Sequence, residues 1–152
     1  PHELLEQLVT GFHAPLQAIV TATHPEDLRL DELFERAPLL QWGRGPVTLL
    51  GDAAHAMLPH AGQGAAQALE DAVTLARALR AERPLEASLR HYEKVRSGRT
   101  STVVRVAKRN AQLGSVSSAL GCWLRNTALT LVPSGLILRH LVSMERPPPV
   151  EE

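Results

Sequence analysis

The feature that most constrains the fold is a short apolar run that leads through a glycine-containing loop into a long alanine-rich helical pattern. Residues 47–50 are β-branched or leucine and lie between glycines, which predicts a strand that is buried on both faces. In residues 63–82 apolar side chains recur at i, i+3, i+4 and i+7, which predicts an amphipathic helix. Its apolar stripe consists of Ala65, Ala68, Leu69, Ala72, Val73, Ala76 and Leu79. So many alanines on one stripe predict close packing of this helix, onto a sheet.

Helical spacing extends over most of the remaining chain. It predicts helices at residues 4–12, 15–22, 84–114, 120–131 and 136–142. The mixed apolar pattern of residues 28–34 predicts a further strand, and the glycines and proline of residues 43–46 predict a turn. The proline-rich residues 147–152 predict an extended or disordered tail. The chain is therefore expected to be mostly α, with a few strands.

The composition limits the classes of protein to which the chain can belong. It has 152 residues, 44% of them hydrophobic and 21% charged, which is typical of one soluble globular domain. The 16 basic and 16 acidic residues balance, so no overall field favours nucleic acid or anionic lipid. The single cysteine, Cys122, excludes an internal disulfide and a cysteine-rich metal site, and predicts a cytoplasmic location.

The chain also lacks targeting and membrane signals. No run of about 20 apolar residues is present, so a membrane-spanning helix is not expected. Residues 1–6 have no basic segment followed by an apolar one, which argues against a signal peptide. Because the first residue is not methionine, we expect that the chain begins within a longer protein.

The residues between the predicted strand and helix carry the chemistry. The segment reads Gly51-Asp52-Ala53-Ala54-His55, then Pro59, then Gly62-Gln63-Gly64-Ala65-Ala66. An aspartate that leaves a strand can accept hydrogen bonds from the hydroxyls of a ligand, and a preceding glycine lets that ligand lie against the backbone. Alternatively, Asp52 is a plain turn or helix-cap residue. Strand, loop and helix in this order predict a ligand site.

The start of the helix adds a second binding feature. Gly62 and Gly64 remove side chains where a flat ring could approach. The free N–H groups of the helix start favour negative charge there. The segment is not a pyrophosphate loop of the G-x-G-x-x-G type, because Gln67 occupies the third glycine position.

Taken together, these residues resemble the second FAD motif of the flavoprotein monooxygenases related to para-hydroxybenzoate, salicylate and urate hydroxylases. The resemblance implies that Asp52, preceded by Gly51, binds the ribityl chain of FAD. It also implies that Pro59 lies near the flavin face. The residues implied to lie along the isoalloxazine ring are Gly62, Gln63, Gly64, Ala65 and Ala66. The resemblance to this family is less specific in two further segments, Trp42-Gly43-Arg44-Gly45 and Tyr92-Glu93-Lys94 followed by Arg96.

The resemblance implies an α/β parent fold with a Rossmann-like FAD-binding domain. It also implies an enzyme that uses FAD, NADH or NADPH, and oxygen to hydroxylate or epoxidise a small organic substrate of the kind that includes aromatic compounds. Residues 1–41 would end the substrate-domain region, residues 42–83 would form the strand, loop and helix of the FAD-binding domain, and residues 84–146 a C-terminal helical region. Because the pyrophosphate motif is missing, we expect the chain to need an N-terminal half of the FAD-binding domain and to be inactive alone.

Several alternatives remain open at this stage. The chain could be a flavin-dependent reductase or halogenase, or a helical body that forms a homo-oligomer. It could also be a non-catalytic helical binding module whose predicted long helix carries Arg90, His91, Lys94, Arg96, Arg99, Arg105, Lys108 and Arg109. We expect these charges to form a solvated face instead, and we expect no nucleic-acid partner.

The remaining polar residues of the motif are expected to have structural roles. Glu70 and Asp71 are predicted to face solvent or to be first-turn charges that are favourable to the helix dipole. His55 is predicted to order its own loop, and His60 occupies a position that could face the substrate. No residue is assigned a catalytic or metal-binding role.

Overall fold

The computed structural model describes the backbone of residues 2–145; within the last helix, side chains are described to residue 139 and at residue 142. The chain divides between Leu33 and Phe34 into two compact units. The first unit contains helices α1 (His2–Val9) and α2 (Ala14–Ala22), followed by a 3-10 turn at Pro25–Asp27. The His2 imidazole joins the two helices, because its Nε2 lies 3.0 Å from the carbonyl oxygen of Val20.

The second unit is built around two long helices. Its helices are α3 (Asp52–His55), α4 (Gly64–Arg80), α5 (Leu85–Gly114), α6 (Ala119–Leu131) and α7 (Ser134–Glu145). A 3-10 turn at Pro59–Ala61 lies between α3 and α4. The predicted helices are confirmed, including the start of α5 directly after Pro84. The predicted tail at residues 147–152 lies outside the described residues.

The core of the second unit lies where α4 and α5 pack against α3 and the segment that precedes it. Trp42, Ala54, Ala78 and Tyr92 form a buried cluster, against which Leu39, Leu49 and Leu75 pack. The Trp42 ring contacts the edge of the Tyr92 ring, with centroids 5.7 Å apart. Gly43 is required next to this cluster, because a Cβ atom there would lie 2.1 Å from the carbonyl oxygen of Val47.

The prediction of a strand at residues 47–50 is wrong. Val47 closes a tight turn through a single bridge with Arg44, residues 48–50 are irregular, and the described residues contain no strand. A strand requires hydrogen bonds to a neighbouring strand, whereas α5 bonds this backbone: Arg90 donates to the carbonyl of Val47 and Tyr92 to that of Leu49. Val47 is 62% exposed, so burial on both faces is also wrong within this chain.

The prediction of a second strand, at residues 28–34, is also wrong. These residues lie in no helix or strand after the 3-10 turn. Their apolar side chains are not buried by a neighbour in the described chain, since Leu30 and Phe34 are exposed. The chain is mostly helical as predicted, but the few strands expected from the sequence are absent from residues 2–145.

Helix α4 buries the face opposite to its apolar stripe. The residues that are buried are Gln67, Asp71 and Ala78, whereas Leu69 and Val73 are 70% and 52% exposed. The packing partner of α4 is α5. The prediction that the stripe packs closely on a sheet is therefore not met within this chain.

Across residues 2–145, no helix is both long and apolar enough to cross a membrane.

Candidate functional site

The loop before α4 is held in a conformation that depends on two glycines. Gly51 precedes α3 with φ 60° and ψ −138°, and Gly62 adopts the left-handed conformation with φ 64° and ψ 16°. Both values are strained for residues that carry a Cβ atom. The loop therefore turns sharply just before Asp52 and again just before α4.

Residues of this loop and of α4 line an open cavity of about 450 Å³, here called the loop pocket. Its lining residues are Asp52, Met57, Leu58, Pro59, Gly62, Gln63, Gly64, Ala65 and Ala68. The structure thus brings six of the eight predicted cofactor-binding residues to one cavity. The other two lie beside it: Gly51 is buried behind Asp52, and Ala66 is exposed on α4.

The loop pocket combines open space with polar groups that can bind a ligand. A Cβ atom on Gly62 would meet nothing within 4 Å, and one on Gly64 would meet only Met57, at 4.0 Å. Side chains at these positions would therefore occupy space that is open to a ring. Helix α4 has no side-chain cap at its start, so its first-turn N–H groups are available to an electronegative ligand edge. The Asp52 carboxylate supplies acceptors for hydroxyl groups.

A buried polar cluster lies behind the pocket and contains Asp71, Glu70, Gln67, His55 and Arg96, here called the Asp71 cluster. The Asp71 carboxylate contacts His55 Nε2 at 2.6 Å and Arg96 Nε at 2.6 Å, and it accepts a hydrogen bond of 3.0 Å from the Gly51 amide. The prediction that Asp71 faces solvent is wrong, because its side chain is fully buried. A buried carboxylate requires such partners.

Glu70 is also paired, although it is partly exposed. It accepts hydrogen bonds of 2.8 and 2.9 Å from Arg99, and one from Arg96 Nη1 at 2.5 Å. Burial alone would raise the pKa of Glu70, but hydrogen bonds from Arg99 and Arg96 outweigh it and lower that pKa. The predicted solvent-facing role of Glu70 is therefore corrected to an ion pair with α5.

The pKa values follow from the same contacts. Burial would raise the pKa of Asp71, but hydrogen bonds from His55, Arg96 and the Gly51 amide lower it overall. Burial and the negative charge of Asp71 raise the pKa of Tyr92. Asp71 is therefore ionised and Tyr92 neutral near neutral pH, so the cluster presents a fixed negative charge to His55 and Arg96.

His55 has the ordering role that the sequence predicts. It is 3% exposed, its ring packs 5.6 Å from that of Trp42, and its Nε2 faces Asp71. His60, in contrast, is exposed and does not line the loop pocket; its carbonyl accepts a hydrogen bond of 3.1 Å from Asn110 on α5. Contact of His60 with a substrate stays a prediction.

The position of Arg96 differs from the sequence prediction. The charges of α5 are predicted to form a solvated face, but Arg96 is fully buried. The available signal was its spacing: Arg96 lies four residues after Tyr92, which is also buried, so the two share one helix face. The neighbouring Arg90 and Arg99 are likewise engaged, with Glu93 and Glu70. These pairs argue against an arginine surface for a charged partner.

Comparisons with known proteins show which proteins this chain is similar to. Residues 35–107 match the family described as FAD binding domain. The backbone is similar to that of Klebsiella pneumoniae HpxO crystallised with FAD and uric acid, with a TM-score of 0.84 and 28% identity over 94% of this chain and 37% of that chain. The predicted resemblance to flavin-dependent monooxygenases is thus confirmed.

Individual relatives make the class more specific. The chain is 39% identical to the aurachin C monooxygenase/isomerase of Stigmatella aurantiaca over 87% of this chain and 34% of that protein. It is 37% identical to the 6-hydroxynicotinate 3-monooxygenase of Pseudomonas fluorescens over 80% of this chain and 31% of that protein. The chain therefore spans about a third of the length of these curated relatives.

Proposed function

We propose that this chain supplies the isoalloxazine and ribityl part of the FAD site in a flavin-dependent monooxygenase. The observation that carries the proposal is the loop pocket, where the Asp52 carboxylate and the uncapped start of α4 line one cavity. The match to an FAD binding domain and the similarity to a protein crystallised with FAD support it. All eight predicted cofactor-binding residues, with Gly51 and Ala66 acting through the backbone, are part of this proposal.

Each part of the pocket has a defined task in this proposal. Asp52 accepts hydrogen bonds from ribityl hydroxyls, and the N–H groups at the start of α4 stabilise negative charge on the ring. Pro59 forms one wall of the pocket and keeps water from the ring face. FAD itself, when bound, supplies the electron transfer and oxygen chemistry.

The activity proposed for the whole protein is hydroxylation or epoxidation of a small organic molecule with NADH or NADPH as reductant. The similar proteins include a 6-hydroxynicotinate monooxygenase and a protein crystallised with uric acid, which supports a small ring compound as substrate. We further propose that an N-terminal half of the FAD-binding domain holds the adenosine pyrophosphate, that the chain alone is inactive, and that the protein is cytoplasmic. The domain boundaries at residues 41 and 83 remain part of this proposal.

The test is a flavin titration of the purified chain, followed by flavin fluorescence and visible absorbance. We expect FAD and FMN to bind with similar, micromolar affinity, because this chain contacts only the part that both flavins share. Asp52→Ala should weaken the binding of both by about tenfold, the loss of one charge-assisted contact of about 1.4 kcal/mol.

Asp31→Ala is the matched control, since Asp31 is exposed and does not line the loop pocket. It should leave both affinities unchanged. Equal binding by the Asp52→Ala and Asp31→Ala variants would contradict the proposed site. No flavin binding by the wild-type chain would mean that the N-terminal half of the FAD-binding domain is required for binding.

A further inference from the structure

A buried arginine connects the two sides of the loop pocket without lining it. Arg96 is fully buried on α5 and is absent from the pocket's lining residues. Its guanidinium contacts three residues of α4 that follow directly after the glycine-containing helix start. These residues are Gln67, Glu70 and Asp71.

The first connection runs to the helix side of the pocket. Arg96 Nη2 donates to the side-chain oxygen of Gln67 at 2.7 Å and to its carbonyl oxygen at 3.2 Å. Gln67 lies one residue after Ala66, and its backbone N–H donates to the carbonyl oxygen of Gln63 at 2.9 Å. Arg96 thereby holds the first turn of α4, whose residues Gly64 and Ala65 line the pocket.

The second connection runs to the aspartate side. Arg96 Nε donates to Asp71 Oδ1 at 2.6 Å, while Asp71 Oδ2 accepts from the Gly51 amide at 3.0 Å. Gly51 sits directly before Asp52 in a conformation that only glycine adopts readily, with φ 60°. The Asp71 carboxylate therefore transmits the position of Arg96 to the backbone that presents Asp52.

We infer that Arg96 is a positioning residue of the flavin site, which sets the distance between the Asp52 backbone and the first turn of α4. This inference rests on the proposed function. The guanidinium is suited to the task because it is planar and holds its donors in a fixed fork. A lysine ammonium keeps the charge but cannot reproduce donors to Asp71 and to both oxygens of Gln67 at once.

A plain structural ion pair is the competing explanation, so the test must separate local geometry from overall stability. The test variant is Arg96→Lys, and the matched control is Arg105→Lys on the same helix, where Arg105 is exposed and bonds the Thr102 hydroxyl. Leu89→Ala serves as a stability control, because Leu89 is buried but does not line the pocket. Flavin affinity and the visible flavin spectrum are measured at a temperature where circular dichroism shows every variant folded.

We expect Arg96→Lys to weaken flavin binding by about tenfold and to shift the visible flavin spectrum, in the range that partners behind a binding site typically contribute. Arg105→Lys and Leu89→Ala should keep the wild-type affinity and spectrum. If Leu89→Ala loses as much affinity as Arg96→Lys, or if Arg96→Lys binds like the wild type, the inference is overturned.

A second measurement needs no flavin. Hydrogen exchange of the amides in residues 51–67 should accelerate in Arg96→Lys and not in Arg105→Lys. If the wild-type chain alone binds no flavin, the N-terminal half is required for binding, and the exchange experiment still decides the inference. Unchanged exchange at residues 51–67 in Arg96→Lys would contradict it.

A double-mutant cycle tests the route through Asp71. Asp71→Asn alone should also accelerate exchange at Gly51 and Asp52. If Arg96 acts through Asp71, adding Arg96→Lys to Asp71→Asn should change exchange at these two residues little, because coupled contacts are not additive. Full additivity at these amides would exclude that route.

Discussion

At the scale of single residues, the conformation of the loop is decided by glycines and its fixation by buried charges. Gly51 and Gly62 both adopt positive φ values, of 60° and 64°. The Asp71 carboxylate then bonds the Gly51 amide, so a side chain of α4 fixes a residue that lies before α3. Residues remote in sequence thereby share one site.

Gly62 provides a prediction at this scale. We expect Gly62→Ala to lower the free energy of unfolding by about 1–2 kcal/mol, because an L-residue is strained at left-handed φ. Gly98→Ala, within α5 and with open space around it, should instead stabilise the chain by up to about 1 kcal/mol through helix propensity. Urea unfolding of both variants measures the difference. Equal effects of the two substitutions would show that the Gly62 conformation is not maintained.

At the scale of elements, α4 has two faces with opposite surroundings. The face that carries Gln67, Asp71 and Ala78 packs on α5, whereas the alanine-rich stripe with Leu69 and Val73 is exposed. Apolar exposure on this scale is unusual for a helix of a monomeric domain. The interface between α4 and α5 therefore combines an apolar core near Ala78 with the polar Asp71 cluster.

The two faces of α4 lead to a second prediction. Leu69→Ala should change the free energy of unfolding of this chain by less than about 0.5 kcal/mol, because the side chain is exposed. Leu89→Ala, at a position of α5 that is 5% exposed, should cost about 2–5 kcal/mol. Urea unfolding followed by circular dichroism compares them. A large loss in Leu69→Ala would mean that the stripe is buried in solution.

At the scale of the whole molecule, ion pairs join α4, α5 and the segment that precedes α3, and the pair between Asp71 and Arg96 is fully buried. Asp71 and Glu70 of α4 meet Arg96 and Arg99 of α5. Lys108 of α5 pairs with Glu35 in the segment before the loop. Removing one partner of a buried pair leaves an uncompensated charge, so these contacts make the unit sensitive to protonation.

The pH dependence of stability gives a prediction at this scale. The pKa values of Asp71 and Glu70 are lowered from their ordinary values of 3.8 and 4.5. The unfolded chain therefore takes up these protons at a higher pH than the folded chain. The stabilisation is present above these ordinary values and is lost as the pH falls through the lower folded-state values.

Urea unfolding at a series of pH values from neutral to strongly acid measures this dependence. We expect the free energy of unfolding to decrease steadily on acidification below the ordinary carboxyl range. Asp71→Asn should be less stable at neutral pH and should show a flatter decrease. Parallel curves for the two proteins would indicate that Asp71 is not ionised in the folded state.

The sequence by itself determined the helices and the residues of the pocket. The period of the apolar side chains marked the helices, because that signal is local. The spacing from Gly51 to Ala66 resembled a known FAD motif, and the structure brings six of the eight residues so predicted to one cavity. These inferences depend on neighbours in the chain, which a sequence displays directly.

Only the tertiary structure decided which face of α4 is buried, whether residues 47–50 form a strand, and what Arg96 does. Hydrophobic periodicity showed that α4 has an apolar face, but burial depends on the element that lies opposite. Residues 47–50 have strand-like composition, yet a strand exists only with a hydrogen-bonded neighbour. Arg96 reads as a surface charge until Asp71 and Gln67, more than 20 residues away in sequence, are placed beside it. Contacts between residues so far apart in the chain leave no periodic signal in the sequence. The contacts that hold the loop and α4 together are therefore seen only in the tertiary structure.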